Sequence, residues 1–339
     1  PGRAGDAPRA VARVTAGRSF TSDGLNLTAL ESTDLDALLL AARETTDSVA
    51  ALRQSPWYRR RFAPLLALSD HLARRGEPVD ELTLLAVSAE VWCLQLPKHP
   101  AAGLPPFVHR RTGLERAARF CGYRVEWATG REPAEAEAIV RQTMAADGLV
   151  LAFGRDGQEV RILNTPAEAG RSFLDEPRAY RFLFEDEPVA RALCAITRSN
   201  EPASSVRELL AETLADVRHL LNEAEDRDYL IGRQAVAKWA EGFVESRRGG
   251  IEDPLLKSLN LVARLSTPCE ERLGTTGDAA NPAGSRRTLS VVADRFLQDV
   301  LSVSKVELTT CDRRQREIWV AELLDALARA GGAFGTVLP

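Results

Sequence analysis

The sequence predicts a helix-dominated α+β fold, with antiparallel strands in the middle of the chain and a helical C-terminal part. Three observations carry this. Apolar residues recur at helical spacing over long stretches, as in Val206, Leu209, Leu210, Val217, Leu220 and Leu221. In the middle of the chain the pattern shortens to two apolar runs, 149–153 and 159–163, joined through Gly154-Arg155-Asp156-Gly157. An Asp-Gly pair between apolar runs signals a hairpin, because both residues tolerate the left-handed backbone that tight turns require. Finally, 45% of the 339 residues are hydrophobic and 27% are charged, enough apolar surface to bury a core.

Residues 1–24 hold Gly, Pro, Arg and Ser without periodicity and read as a flexible arm. A helical segment over 25–54 follows, capped at Thr33-Asp34. A helix over 62–74 carries Phe62, Leu65, Leu66, Ser69 and Leu72 on one face and stops at Gly76 and Pro78. The next runs from Val79 to Trp92, and another over 112–121 ends at Gly122. Residues 124–128 alternate like a strand, 133–146 return to helix, and 180–184 read as a further strand. Everything after Pro188 reads as helix, beginning with the capping box Ser205-Val206-Arg207-Glu208. The later helices fall at 229–246, 254–272, 287–304 and 311–330, with a mobile loop over 274–285. This predicts an α+β core over 55–186 and a helical domain over 187–339. Trp92, Trp239 and Phe296 lie on apolar stripes and should be buried.

Composition excludes several functions. A net charge of −4 argues against a nucleic-acid partner. The basic runs Arg59-Arg60-Arg61 and His109-Arg110-Arg111 read as solvated faces or loops. Five scattered cysteines without a CxxC pair favour a reducing compartment, hence the cytoplasm. No apolar run approaches the roughly 18 residues of a membrane span, and no signal peptide is visible. The four histidines form no metal-ligand spacing, and no phosphate loop, dinucleotide fingerprint or nucleophile elbow occurs, so no metal or cofactor is expected. His219 and Glu223, four apart, read as a surface pair. Cys93 is the candidate nucleophile, with His99 or His109 as its base, although its apolar neighbours fit core packing better.

Certain segments carry a resemblance. They are the helix ending at Gly76, Pro78-Val79-Asp80-Glu81-Leu82, Gly122-Tyr123, Gly148 to Phe153, and Val160 to Pro166. In this order they resemble the papain-like fold of the bacteriocin-processing double-glycine leader peptidases. They are also similar to the butirosin-type acyltransferases, whose core is followed by a helical region. Tyr229 to Ala240 and Ala293-Asp294-Arg295-Phe296-Leu297 resemble stretches of that region, and the likeness covers about 60–305. It implies a bacterial protein with a peptide-sized cleft. The family nucleophile would fall at Phe62 or Ala63, the base at Leu149, and its orienter at Asn164. None of the first three can do that chemistry, so the resemblance implies a site without nucleophile or base.

The expected function is therefore a non-catalytic papain-like protein that binds a peptide or protein partner, a pseudoenzyme or scaffold. Two alternatives remain at this stage. One is a helical structural subunit of a larger assembly; the other is a cysteine-dependent acyl-transfer or peptidase enzyme with a relocated site at Cys93.

Overall fold

The computed structural model describes residues 21–22, 25–26, 52–99, 105–129, 133–154, 160–163, 180–185, 192–200, 205–222, 224–245, 254–276 and 313–335. The element order is β1 (Thr21–Ser22), β2 (Leu25–Asn26), α1 (Pro56–Arg61), α2 (Ala63–Arg74), α3 (Glu81–Ser88), a 3-10 turn (Glu90–Trp92), β3 (Gln95–Pro97), α4 (Arg111–Phe120), β4 (Tyr123–Thr129), α5 (Pro133–Ala145), β5 (Leu149–Phe153), β6 (Val160–Ile162), β7 (Ala192–Arg198), α6 (Val206–Asn222), β8 (Tyr229–Ile231), α7 (Gly232–Glu245), α8 (Pro254–Thr276) and α9 (Arg313–Gly335). The class is the predicted one, helix-dominated α+β with antiparallel sheets. The main sheet has the order β4-β7-β5-β6.

Several expectations hold in detail. β5 and β6 pair antiparallel, with Leu151 opposite Ile162 and Phe153 opposite Val160. The capping box closes reciprocally: the Glu208 N–H donates to Ser205 Oγ at 3.2 Å, and the Ser205 N–H to the Glu208 carboxylate at 3.1 Å. Trp92 and Trp239 are buried. The Thr33-Asp34 cap, the 287–304 helix with Phe296, the 154–159 turn beyond Gly154, and the loop after Thr276 lie outside the described residues.

Other expectations are corrected. The last residues assigned to the arm, Thr21–Ser22, pair antiparallel with Leu25–Asn26. The helix expected over 62–74 is present as Ala63–Arg74, but a separate short helix, Pro56–Arg61, precedes it. Pro64 lacks an N–H and its ring excludes continuous helix, so the chain bends at Phe62 (φ −108°, ψ 13°). The helix expected to reach Trp92 stops at Ser88, where Ala89 turns left-handed (φ 60°). Residues 180–184 form a bridge and a turn rather than a strand, with Phe184 at φ 67°.

The largest correction is β7. It was read as helix, yet it is a central strand bonded to both β4 and β5. Ala192 to Ile196 are buried on both faces, so the run is continuously apolar and shows no alternation to distinguish it from a buried helix. The boundary at residue 186 therefore cuts through the sheet. One apolar cluster runs from Trp57 and Leu68 through Leu151 and Ile196 to Leu220, Trp239 and Leu327. Residues 229–231, assigned to a helix start, form β8 and pair with β3.

Gly232 makes this crossing possible. Its φ is +54°, and a Cβ there would lie 2.2 Å from the Leu220 carbonyl oxygen and 2.6 Å from that of Leu221. Gly232→Ala should lower stability by roughly 3 kcal/mol, from left-handed strain and backbone overlap together. Trp239, stacked on Phe243 at 4.8 Å, should cost about 3–5 kcal/mol when replaced by Ala. Urea denaturation of each variant measures both losses.

Candidate functional site

The positions matched to the family triad do not converge. Phe62 is fully buried at the start of α2, with its ring against Tyr58 at 5.0 Å. Ala63, next to it, is half-buried. Leu149 opens β5 and lies beside His71, Arg74 and Arg75, at the other end of α2. At about 1.5 Å per helical residue, His71 is roughly 14 Å along the axis from Phe62. The opposite end of β5 faces the start of α2. Phe153 packs on His109 at 5.7 Å, His109 on Phe107 at 5.6 Å, and Arg61 covers the Phe107 ring at 5.2 Å. Asn164 lies outside the described residues.

Leu149 instead lines a cleft of about 310 Å³. The cleft lies where α2 and α5 both end against the first residues of β5, and Ile162 and Leu163 of the β6 end close one side. Its geometry follows from how α5 terminates. Asp147 takes φ 52°, the Asp147 N–H donates to the Met144 carbonyl at 3.0 Å, and the Gly148 N–H donates to the Thr143 carbonyl at 2.8 Å. These two bonds make a Schellman-type end, satisfying the last helical carbonyls. Only glycine fits at 148, because a Cβ would meet the Ile196 oxygen and Thr143 Cγ2 at 2.7 Å. Arg75 then clasps Asp147, with Nη1 donating to its carbonyl at 2.7 Å and its carboxylate at 2.5 Å.

The cleft has apolar walls, Met144, Leu149, Val150, Ile162 and Leu163, and a polar rim of His71, Arg74, Arg75 and Asp147. Burial, then the Arg75 charge, pushes the His71 imidazole below its usual value, so it is neutral at pH 7. A neutral imidazole can accept a proton, but no hydroxyl, thiol or amine is among the residues lining the cleft. The arrangement can hold a ligand; its lining offers no hydroxyl or thiol nucleophile.

Cys93 is buried, and burial pushes its thiol up despite the nearby Arg110 and Arg61 charges. The Gln95 amide donates to its sulfur at 3.4 Å while also bridging the Val108 backbone. His109 is equally buried, and desolvation followed by the Arg61 charge pushes it down to about 3. His99 is exposed. A protonated, enclosed thiol is a packing group rather than a thiolate. Among the described residues no group of three or more His, Cys, Asp or Glu is placed to hold a metal ion, and no helix is long and apolar enough to cross a membrane.

Sequence reasoning missed the most polar part of the interior. Arg61, Arg110 and His109, assigned to solvated runs, are 2%, 3% and 5% exposed. Arg110 donates to Glu90 at 2.8 Å, to both Asp216 oxygens at 2.9 and 3.0 Å, and to the Ser88 carbonyl at 2.6 Å. Arg116 reaches the Val87 carbonyl at 2.8 Å and also bonds Asp216. A signal for Arg61 was present in its spacing, since Trp57 and Arg61 lie four apart, one turn along α1. The partners of Arg110 had no such signal, because Asp216 is 106 residues away.

No protein-family model matches this sequence, and no curated protein matches it significantly.

Burial alone would push Asp216 up, but the charges of Arg110 and Arg116, with their hydrogen bonds, hold it below the usual carboxylate range. A depressed folded-state value contributes stability that is complete above the unfolded value, about 3.9, and is lost as pH falls through the lower folded value. Asp216→Asn should flatten the acid limb of the stability–pH curve below about pH 4. It should also cost roughly 3–5 kcal/mol at pH 7, because two guanidiniums lose a charged partner. Chemical denaturation between pH 2 and 7 reads both effects.

Proposed function

We propose that this chain is a non-catalytic binding protein that holds an extended peptide segment at the cleft where β5 begins. The observation that carries the reading is a cleft of mixed polar and apolar lining, placed where β5 begins beside the outer strand β6. β6 is an outer strand of the main sheet in the order β4-β7-β5-β6. An outer strand offers a row of backbone donors and acceptors to an incoming strand, and an adjoining pocket sorts its side chains. The walls of Met144, Leu149, Ile162 and Leu163 suit an apolar side chain, and the His71–Arg74–Arg75–Asp147 rim suits polar backbone or charged neighbours.

The resemblance to leader peptidases and butirosin-type acyltransferases supports a peptide as the ligand, since Leu149 of the cleft is the position that likeness assigns to the base. The separation of Phe62 from Leu149 counts against that alignment of the triad, so the binding role rests on the cleft itself. The burial of Cys93 supports a binding role without thiol chemistry. The reading is favoured over an assembly subunit because, among the described residues, the exposed large hydrophobics are Val206 and Ile318 alone, too few for an extensive apolar interface. Unpaired Cys93, Cys121, Cys194 and Cys269 suit the reducing cytoplasm of a bacterium.

Selection from a displayed library of random peptides tests the proposal. Peptides enriched on the wild-type protein should bind at least about tenfold more weakly to Met144→Arg, which fills the cleft, and equally well to Arg313→Glu, an exposed position at the start of α9. Failure to enrich any peptide, or equal binding by Met144→Arg, overturns it.

A further inference from the structure

We propose that the space around the Phe107 ring, at the far end of β5 from the cleft, is a binding site for a small monovalent anion of the chloride class, held by Arg61, Trp57 and His109. The first argument is charge. Arg61, Arg110 and Arg116 are all buried, and the carboxylates that face them are Glu90 and Asp216. Asp216 is taken by Arg110 and Arg116, and Glu90 accepts from Arg110 at 2.8 Å while standing 3.9 Å from Arg61. Among the described residues these three guanidiniums share two close carboxylates, with Glu212 a weaker influence on Arg116, so Arg61 is only partly neutralised, and an enclosed charge short of counter-charge is disfavoured.

The second argument is the hydrogen-bond inventory. Arg61 Nη2 donates to the Cys93 carbonyl at 2.7 Å, whereas Arg61 Nη1 is buried without a partner. Trp57 Nε1 and His109 Nε2 are likewise buried and unpartnered. All three residues pack on one ring: Trp57 lies 5.0 Å from Phe107, His109 5.6 Å, and the Arg61 guanidinium 5.2 Å. Trp57 and Arg61 are one turn apart on α1, so they present to the same side. The imidazole is neutral and can carry its proton on Nε2, making it a donor that does not add charge. The Lys257 ammonium, 5.3 Å from the Trp57 ring, adds positive potential. Aromatic edges are electropositive, so the Phe107 ring does not repel an anion beside it. Donors without acceptors and a guanidinium with only a distant counter-charge thus surround the same ring. A water molecule would satisfy the donors and leave the charge unbalanced.

The experiment compares melting temperature in sodium chloride and sodium gluconate at fixed ionic strength, with chloride-35 NMR line width as a direct reading of exchange. The wild type should melt higher as chloride replaces gluconate and should broaden the chloride-35 line. Trp57→Phe, which keeps the ring packing and removes one donor, should need several-fold more chloride for the same rise. Arg61→Met should lose the chloride response. A wild type indifferent to chloride in both measurements overturns the proposal, as does a response unchanged in both variants. If Arg61→Met does not fold, Trp57→Phe alone decides.

Discussion

The end of α3 is the constraint on which much of the interior depends. A helix leaves its last carbonyls without intrahelical partners, and water cannot reach them when that end is buried. Here Ala86, Val87 and Ser88 are nearly or wholly inaccessible. Val87 accepts from Arg116 at 2.8 Å and from the Thr213 hydroxyl at 3.0 Å; Ser88 accepts from Arg110 at 2.6 Å and Arg116 at 3.2 Å. The capping groups therefore come from α6 and from the segment that opens α4. Bringing guanidiniums inside then requires Glu90 and Asp216 to neutralise them. Close approach follows as well: at Gly113 a Cβ would sit 2.6 Å from Glu90 Oε1, so α4 can pass only where it has no side chain.

That arrangement ties the sheet to the later helices. Arg119 and Glu212 extend the contact between α4 and α6 to the surface, and a second bidentate pair, Arg181 with Asp226, fixes the turn after Phe182 against the segment leading to β8. β7 crosses between β4 and β5 before the chain enters α6, so sheet and helices share one apolar core. The cleft is set by the other end of this framework, where α2 and α5 terminate on β5. The two polar regions are thus separate: the charged knot is buried and hydrogen-bonded apart from the Arg61 surroundings, and the cleft rim of Arg74, Arg75 and Asp147 lies at the other end of α2.

This division bears on function. A papain-like catalyst needs its nucleophile at a helix start close to the base. In this chain the helix start is filled by Phe62 and the residue matched to the base lies at the helix end. The two matched positions thus meet neither the chemistry nor the spacing of such a site, and the Leu149 cleft lies at the other end of α2 from the helix start.

What the sequence determined by itself was whatever depends on neighbours along the chain. Helix periodicity, the Ser205–Glu208 capping box, the stop at Gly76 and the Asp-Gly hairpin all express interactions within a few residues, and they are legible for that reason. The pairing of β5 with β6 and the burial of Trp92 and Trp239 belong here. Only the tertiary structure decided the rest. β7 is a strand because β4 and β5 flank it, and a run buried on both faces has no period of its own. Arg61 and Arg110 lie inside because their partners arrive from residues 90, 93 and 216, whereas local reading counts charges and assigns them to water. The cleft likewise joins residues 71–75, 144–150 and 162–163. Contacts over such separations are set by how the layers stack, which no local pattern encodes.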